Sequence, residues 1–173
     1  MADVGDYDLI KRCLNGDNSA FDLLVKRYER QMYRTAWGIV KNSDTAKDIT
    51  QTGFLKCWKK LHTYNPDFKF YSWLYRIMVN ESLNHLRNKK THSSLSLYHS
   101  SGENPYLKLL KKEENRILAK CIGELPTDYR VVIQLRHFEE LSYKEIAGIL
   151  DIEPRTVKSR LYTARIQLRE KLL

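Results

Sequence analysis

Trp73, Arg76, Asn80, Asn84 and Arg87 follow one another at steps of three and four residues, so on a helix they form one stripe. Just upstream stand Tyr64, Phe68, Phe70 and Tyr71. Rings stack on unpaired bases, Asn reads base edges and Arg holds phosphates, so this set suits single-stranded nucleic acid. Taken singly, each aromatic reads first as packing of a helical bundle. The asparagines shift that balance, because Asn is a poor helix former and gains nothing in an apolar core.

A second constellation lies near the C-terminus, in LSYKEIAGILDIEPRTVKSRLYTARIQLREKL. Ser142 and Glu145 have capping-box spacing, with Leu141 and Ile146 at the staple positions. A short turn, Asp151–Ile152–Glu153, precedes Pro154, which fits the first position of a helix. That helix would bury Val157, Leu161, Ala164 and Leu168 and expose Arg155, Thr156, Lys158, Ser159, Tyr162 and Arg165. Two helices about a tight turn, the second basic at its start, predict a helix-turn-helix whose second helix enters the major groove. There Arg and Lys can bond guanine, while Thr and Ser reach bases or phosphates. Asp151 stands where such turns commonly carry Gly, and Asp tolerates positive φ better than most residues.

Other chemistry is thinly represented. Cys57 with His62, or His85, His92 and His99 spaced by seven, are the best candidates for a metal-dependent nuclease. The three histidines share a face only if a helix runs through residues 93–101, which that composition opposes. Cys13, Cys57 and Cys121 include no C-x-x-C pair and fit reduced core thiols in a cytoplasmic protein. No catalytic set, metal site or cofactor is therefore expected.

Helices must position these residues. The 173-residue chain has only 7 glycines, which disfavours loop-rich β architecture and Gly-lined phosphate sites. Phe21, Leu24, Val25, Tyr28, Met32, Ala36 and Ile39 form one face of a long helix capped by Asp17 or Ser19. A second helix spans about Thr45 to Leu61, with Ala46, Ile49, Gly53, Cys57 and Leu61 inward and Asp48, Gln51, Lys56, Lys59 and Lys60 outward. A third begins at Ser72 and reaches about Asn88, carrying the stripe. The Ser-, His- and Asn-rich stretch from Thr91 to Pro105 reads as a linker. The fold class is all-α: two small helical bundles, residues 1–90 and 113–173, joined by a flexible linker, 91–112.

Charge follows the same division. Residues 1–90 hold 16 basic and 10 acidic side chains, residues 113–153 hold 5 and 9, and residues 154–173 hold 6 and 1. An excess of positive charge concentrated on the last helix suggests a polyanionic partner. No window approaches the roughly 18 apolar residues of a membrane span. The acidic first residues match neither a signal nor a transit peptide.

Read together, these segments resemble the extracytoplasmic-function (group IV) RNA polymerase sigma factors. The first block is similar to their region 2 at GDNSAFDLLVKRY, at D-x-x-Q-x-x-F-x-x-x-W (Asp48, Gln51, Phe54, Trp58) and at FYSWLYRIMVN. The second is similar to their region 4 at LPTDYRVVIQLRHFEELSYKEIAGIL and TVKSRLYTAR. Gly53 and Tyr64 depart from the usual pattern, where a slightly larger small residue and Phe are more common.

The resemblance implies a non-catalytic subunit that binds core RNA polymerase and directs it to promoter DNA. Asp48, Gln51 and Phe54 would dock on the clamp coiled coil of the β′ subunit, and the β flap would be a further contact. The loop Tyr64–Lys69, including Phe68, with Lys56, Trp73, Arg76, Asn80, Asn84 and Arg87, would meet the melting −10 element, one base flipping into a pocket near Asn80. Arg155, Thr156, Lys158, Ser159, Arg160, Tyr162 and Arg165 would read the −35 element as duplex. An anti-sigma factor is a further partner that the resemblance brings with it. The competing reading is an autonomous helix-turn-helix regulator with an unrelated helical sensor domain; the stripe and the Asp48–Gln51 face stand against it.

Overall fold

The computed structural model describes residues 5–92 and 113–172, and every regular element among them is helical. A first group comprises α1 (Asp6–Leu14), α2 (Asn18–Val40), α3 (Ser43–Lys60), a 3-10 turn (Leu61–Thr63) and α4 (Phe70–His92). A second comprises α5 (Glu113–Gly123), α6 (Thr127–Ile133), a π-helical turn (Gln134–Phe138), α7 (Tyr143–Leu150) and α8 (Pro154–Leu172). Of the expected linker, residues 93–112 lie outside the described ones. Its first two residues belong instead to the end of α4.

The axis of the first group is α2, which packs on α1, α3 and α4. Leu24, Tyr28, Met32, Ala36 and Ile39 are buried as their spacing predicts, whereas Phe21 and Val25 are only half-buried. Asp17 is the N-cap: Oδ1 accepts from the Ser19 amide at 3.0 Å and Oδ2 from Arg12 Nη2 at 2.7 Å. The Ser19 bonds and then the Arg12 guanidinium hold the Asp17 carboxyl down at about 2. Helix α1 was not foreseen. It buries Leu9, Ile10 and Cys13, and Asp6 joins it to α2 by accepting from Arg27 at 2.5 Å and from the Tyr28 hydroxyl.

Asn42 caps α3 by accepting from the Thr45 amide at 2.8 Å, so the helix begins at Ser43, two residues earlier than expected. Ala46, Ile49, Gly53, Cys57 and Leu61 face inward. Burial pushes the Cys57 thiol up to about 12, so it remains protonated. Phe70, expected to lie outside the third helix, starts α4 and is buried.

The two groups also touch. Helix α2 packs on α6 and the π turn, and α4 packs on α7. A β-carbon at Gly38 would stand 2.2 Å from Gln134 Oε1, so the close approach of α2 to the π turn requires glycine there. Beside it the Glu139 side chain, 1% exposed, accepts from Arg34 Nε at 2.8 Å, Arg34 Nη2 at 2.5 Å, the Tyr75 hydroxyl at 2.8 Å and Gln134 Nε2 at 3.0 Å. A buried carboxylate is tolerable only with such satisfaction.

Candidate nucleic-acid interface

On α4 the structure brings the stripe together as expected: Arg76, Asn80, Asn84 and Arg87 are exposed and Trp73 is half-buried at its head. The preceding loop is tied by Asn65 Oδ1, which accepts from the Asp67 amide at 2.9 Å, and by the Tyr64 hydroxyl, which donates to the Phe68 carbonyl. That closure turns Phe68 outward, leaving its ring 67% exposed. Tyr64 packs on Phe70 (centroids 5.5 Å apart) and Trp73 (5.6 Å), and Phe70 packs in turn on Tyr28 (5.7 Å). The aromatics therefore divide. Phe70 is core, Tyr64 and Trp73 form a supported ledge, and Phe68 presents a full face to solvent. A supported ledge beside an exposed ring can serve as a stacking platform for unpaired bases. Lys56 projects from α3 alongside and pairs with Glu81 at 2.6 Å.

The electrostatics of this face involve the second group. Lys69 Nζ lies 3.2 Å from Glu145 Oε1, to which the Tyr71 hydroxyl also donates. The Tyr71 bond, followed by the Ser142 amide, holds the Glu145 carboxyl at about 2. The same Tyr71 and Glu145 contacts raise Lys69. Arg76 Nη2 is 3.9 Å from Asp151 Oδ1.

The helix-turn-helix forms as its local signals predict. Ser142 Oγ accepts from the Glu145 amide at 3.2 Å and Glu145 Oε2 accepts from the Ser142 amide at 2.9 Å, a complete capping box. Asp151 takes the left-handed conformation, φ 55 and ψ 49, and the amides of Asp151 and Ile152 both donate to the Ala147 carbonyl. Pro154 then opens α8, which buries Val157, Leu161, Ala164 and Leu168. Arg155, Lys158, Ser159, Tyr162 and Arg165 are exposed and Thr156 is half-buried. Arg160 departs from the expected set: it turns toward α6, where Nη2 is 2.9 Å from Asp128 Oδ2. His137, unremarked in the sequence, reaches Arg165 Nη2 at 3.3 Å, and burial followed by the nearby Arg165 and Arg136 lowers its pKa.

A third surface lies between α2 and α3. Asp48 and Gln51 are exposed on α3, but Phe54, expected beside them, is 8% exposed. It floors an open cleft of about 390 Å³ with Phe21, Val25, Glu29, Thr50, Gln51 and Leu55. Phe21, one of its lining residues, packs edge-on to Trp58 with centroids 4.8 Å apart. Leu55, 61% exposed, escaped the sequence reading; an apolar residue four positions after Gln51 was its only signal.

Among the described residues no group of three or more His, Cys, Asp or Glu could hold a metal ion; His99 lies outside them. No helix among them is long and apolar enough to cross a membrane.

Comparison with known proteins identifies the two helical groups. The family profile described as Sigma-70 region 2 matches residues 24–92, and that of Sigma-70, region 4 matches residues 115–168. The RNA polymerase sigma-H factor of Pseudomonas aeruginosa is 33% identical over 92% of this chain and 90% of its own. The ECF RNA polymerase sigma-E factor of Escherichia coli is 35% identical over 96% and 94%. Among solved structures, CnrH in complex with the cytosolic domain of CnrY is similar with a TM-score of 0.74 and 26% identity, covering 96% of both chains. The fold also matches sigma factor RpoE of Bartonella quintana, solved with the anti-sigma factor NepR, at a TM-score of 0.70 and 22% identity over 88% of this chain and 96% of that one.

Proposed function

This chain belongs to the sigma-70 family of RNA polymerase sigma factors, in its extracytoplasmic-function group, and we propose that it selects promoters for core RNA polymerase by reading the −35 element as duplex through α8 and the −10 element as melted strand through α4 and the loop before it. The observation that carries the reading is the pairing, in one chain, of a stacking ledge beside an Asn/Arg stripe with a basic helix-turn-helix.

The division of labour follows from energies. Extruding a base costs a few kcal/mol, and stacking on an aromatic returns about 1–3 kcal/mol per base. Phe68, Tyr64 and Trp73 lie where such stacking would offset the cost, and Asn80 stands two turns along the helix to read the edge of an extruded base. Duplex contacts from α8 supply register. Phosphate contacts by Arg155 and Lys158 position the helix, while side chains meeting base edges specify sequence.

The cleft flanked by Asp48 and Gln51 is the surface for core polymerase. An apolar floor made by Phe54, with polar groups at its rim, suits a helical partner such as the β′ clamp coiled coil. The β flap would be met by the second group. An anti-sigma protein is a further partner in this reading, resting on family likeness alone. The chain acts by binding, and no step of the reading needs a catalytic residue or cofactor.

The deciding experiment is co-elution of the purified chain with bacterial core RNA polymerase on a sizing column. A stoichiometric complex is expected. Absence of a complex, with tight salt-sensitive binding to duplex DNA alone, would favour the autonomous regulator instead.

A further inference from the structure

We propose that His137 is a further contact of the duplex-reading surface, one that gains its positive charge when a DNA phosphate arrives, so that binding through α8 takes up a proton. The inference rests on the assignment of α8 to duplex DNA. His137 lies in the π turn before α7, outside the recognition helix, yet its exposed ring reaches that helix: Nε2 is 3.3 Å from Arg165 Nη2. Arg165 follows Lys158 and Tyr162 at steps of four and three, so it continues their exposed row along α8. The turn thus adds a side chain to a row that the helix alone does not hold.

A guanidinium carries only N–H donors, so Nε2 must be the acceptor, which makes the ring neutral with its proton on Nδ1. The electrostatics agree: burial, then Arg165, then Arg136 hold its pKa below the ordinary histidine value. Arg136 is itself fixed in the turn, donating to the Leu141 carbonyl at 3.0 Å with its guanidinium 5.6 Å from the Tyr143 ring centroid. The π turn packs on α2, α6 and α7, whose charges are engaged elsewhere. Arg34 of α2 pairs with Glu139, Arg130 of α6 donates to the Gly123 and Leu125 carbonyls, and Asp128 of α6 pairs with Arg160. Glu145 of α7 accepts from Ser142 and Tyr71, while Lys144 and Glu140 are exposed. A charged imidazole would therefore be a third cation beside two arginines.

A phosphate reverses that balance. Placed against Arg165, it brings negative charge to a cluster of positive groups and offers a protonated ring a charge-assisted hydrogen bond. The ring's pKa then rises on binding, and linkage fixes the sign. Affinity increases as pH falls through the interval between the free and bound values. The salt slope should steepen by about one over the same interval, because one more cation meets a phosphate.

The test uses the full chain and a fluorescein-labelled duplex that the chain itself has selected from a random pool. Anisotropy titrations at constant ionic strength run from about pH 8 down to about pH 5.5. The parent should tighten roughly three- to tenfold over that range. His137→Gln keeps an oxygen to accept from Arg165 but binds no proton, so it should lose this gain. His137→Lys, charged throughout, should bind more tightly than the Gln variant at every pH. NMR of the parent's imidazole reads the same event directly, and the ring's pKa should be higher in the complex than in the free chain. A gain of equal size in His137→Gln would overturn the proposal, as would a ring pKa that does not rise on binding. Lys158→Ala separates the proposal from the assignment beneath it: affinity should fall at every pH while the gain persists. If Lys158→Ala and Arg155→Ala instead bind as the parent does, α8 is not the duplex reader and the His137 contact fails with it.

Discussion

Gly53 on α3 lies so close to Met78 on α4 that a β-carbon there would stand 2.3 Å from Sδ and 2.5 Å from Cε. Met78 is fully buried, so making room means re-seating its side chain within the α3–α4 contact. Glycine inside a helix sacrifices about 1 kcal/mol relative to alanine. Overpacking a core costs about 1–3 kcal/mol. Gly53→Ala should therefore lose roughly 1 kcal/mol of stability in denaturant melts despite its helical gain. Combined with Met78→Ala, the alanine should become neutral or stabilising, a coupling of about 1 kcal/mol or more. Additive losses would show that the approach of the two helices does not depend on the glycine.

Lys41 closes α2 in the left-handed region, φ 57, with its ammonium 4.4 Å from the Trp37 ring centroid. Burial first, then the charge of Arg130, holds its pKa down from 10.5 to about 8. Between those values the folded chain has released a proton that the unfolded chain keeps, so this group makes stability rise with pH across that window. Below it both states are protonated and the full burial penalty remains. Lys41→Met should thus be more stable than the parent near neutrality, by on the order of 1–2 kcal/mol, and the difference should shrink from pH 8 to 10. A difference that stays constant across that range would place the Lys41 charge in solvent.

Arg160 and Lys158 separate two roles on one helix. Arg155 and Lys158 point to solvent, whereas Arg160 is bound to Asp128 on α6. Lys158→Ala and Arg155→Ala should each weaken binding to −35 duplex and reduce its salt slope by about one. Arg160→Ala should instead act mainly on stability, by up to about 1 kcal/mol, and Asp128→Ala should reproduce that loss without changing DNA affinity. Gel-shift titrations at several salt concentrations, paired with thermal melts, distinguish the cases. Loss of affinity from Arg160→Ala equal to that from Lys158→Ala would return Arg160 to the DNA-reading set.

What the sequence made legible is what local physics decides. Ser142 and Glu145 cap each other within one turn, Pro154 starts a helix wherever it stands, and the apolar face of α2 repeats often enough to outweigh any single exception. Helix α1 escaped because it is nine residues long and its three inward side chains follow a run of aspartates. Glu139 and Arg160 escaped for a different reason. Within its own segment Glu139 is one of two adjacent acids that read as solvated, yet its main partner, Arg34, lies 105 positions away. Likewise nothing near Arg160 in the sequence announces Asp128, because α6 meets α8 only after folding. Phe54 shows a third limit: a motif places it on a face, and the depth of the cleft beneath decides how much of that face it shows.

Asn80 offers the sharpest test of strand reading, because its replacement should affect one step alone. It is exposed in the middle of α4, so Asn80→Ala removes no core contact and improves helix propensity. The folded protein should be as stable as the parent or slightly more so. Binding to core polymerase, proposed to run through the α2–α3 cleft, should be unchanged. Reading of the −35 duplex, proposed for α8, should be unchanged too. A single lost base contact is worth about 1–3 kcal/mol, so the equilibrium for strand opening at a cognate promoter should fall roughly 5- to 160-fold. Permanganate reactivity of −10 thymines reads opening, and co-elution with core polymerase reads assembly. Parallel loss of both would mean that Asn80 supports the subunit as a whole, and the flipped-base pocket would have to be sought elsewhere along the stripe.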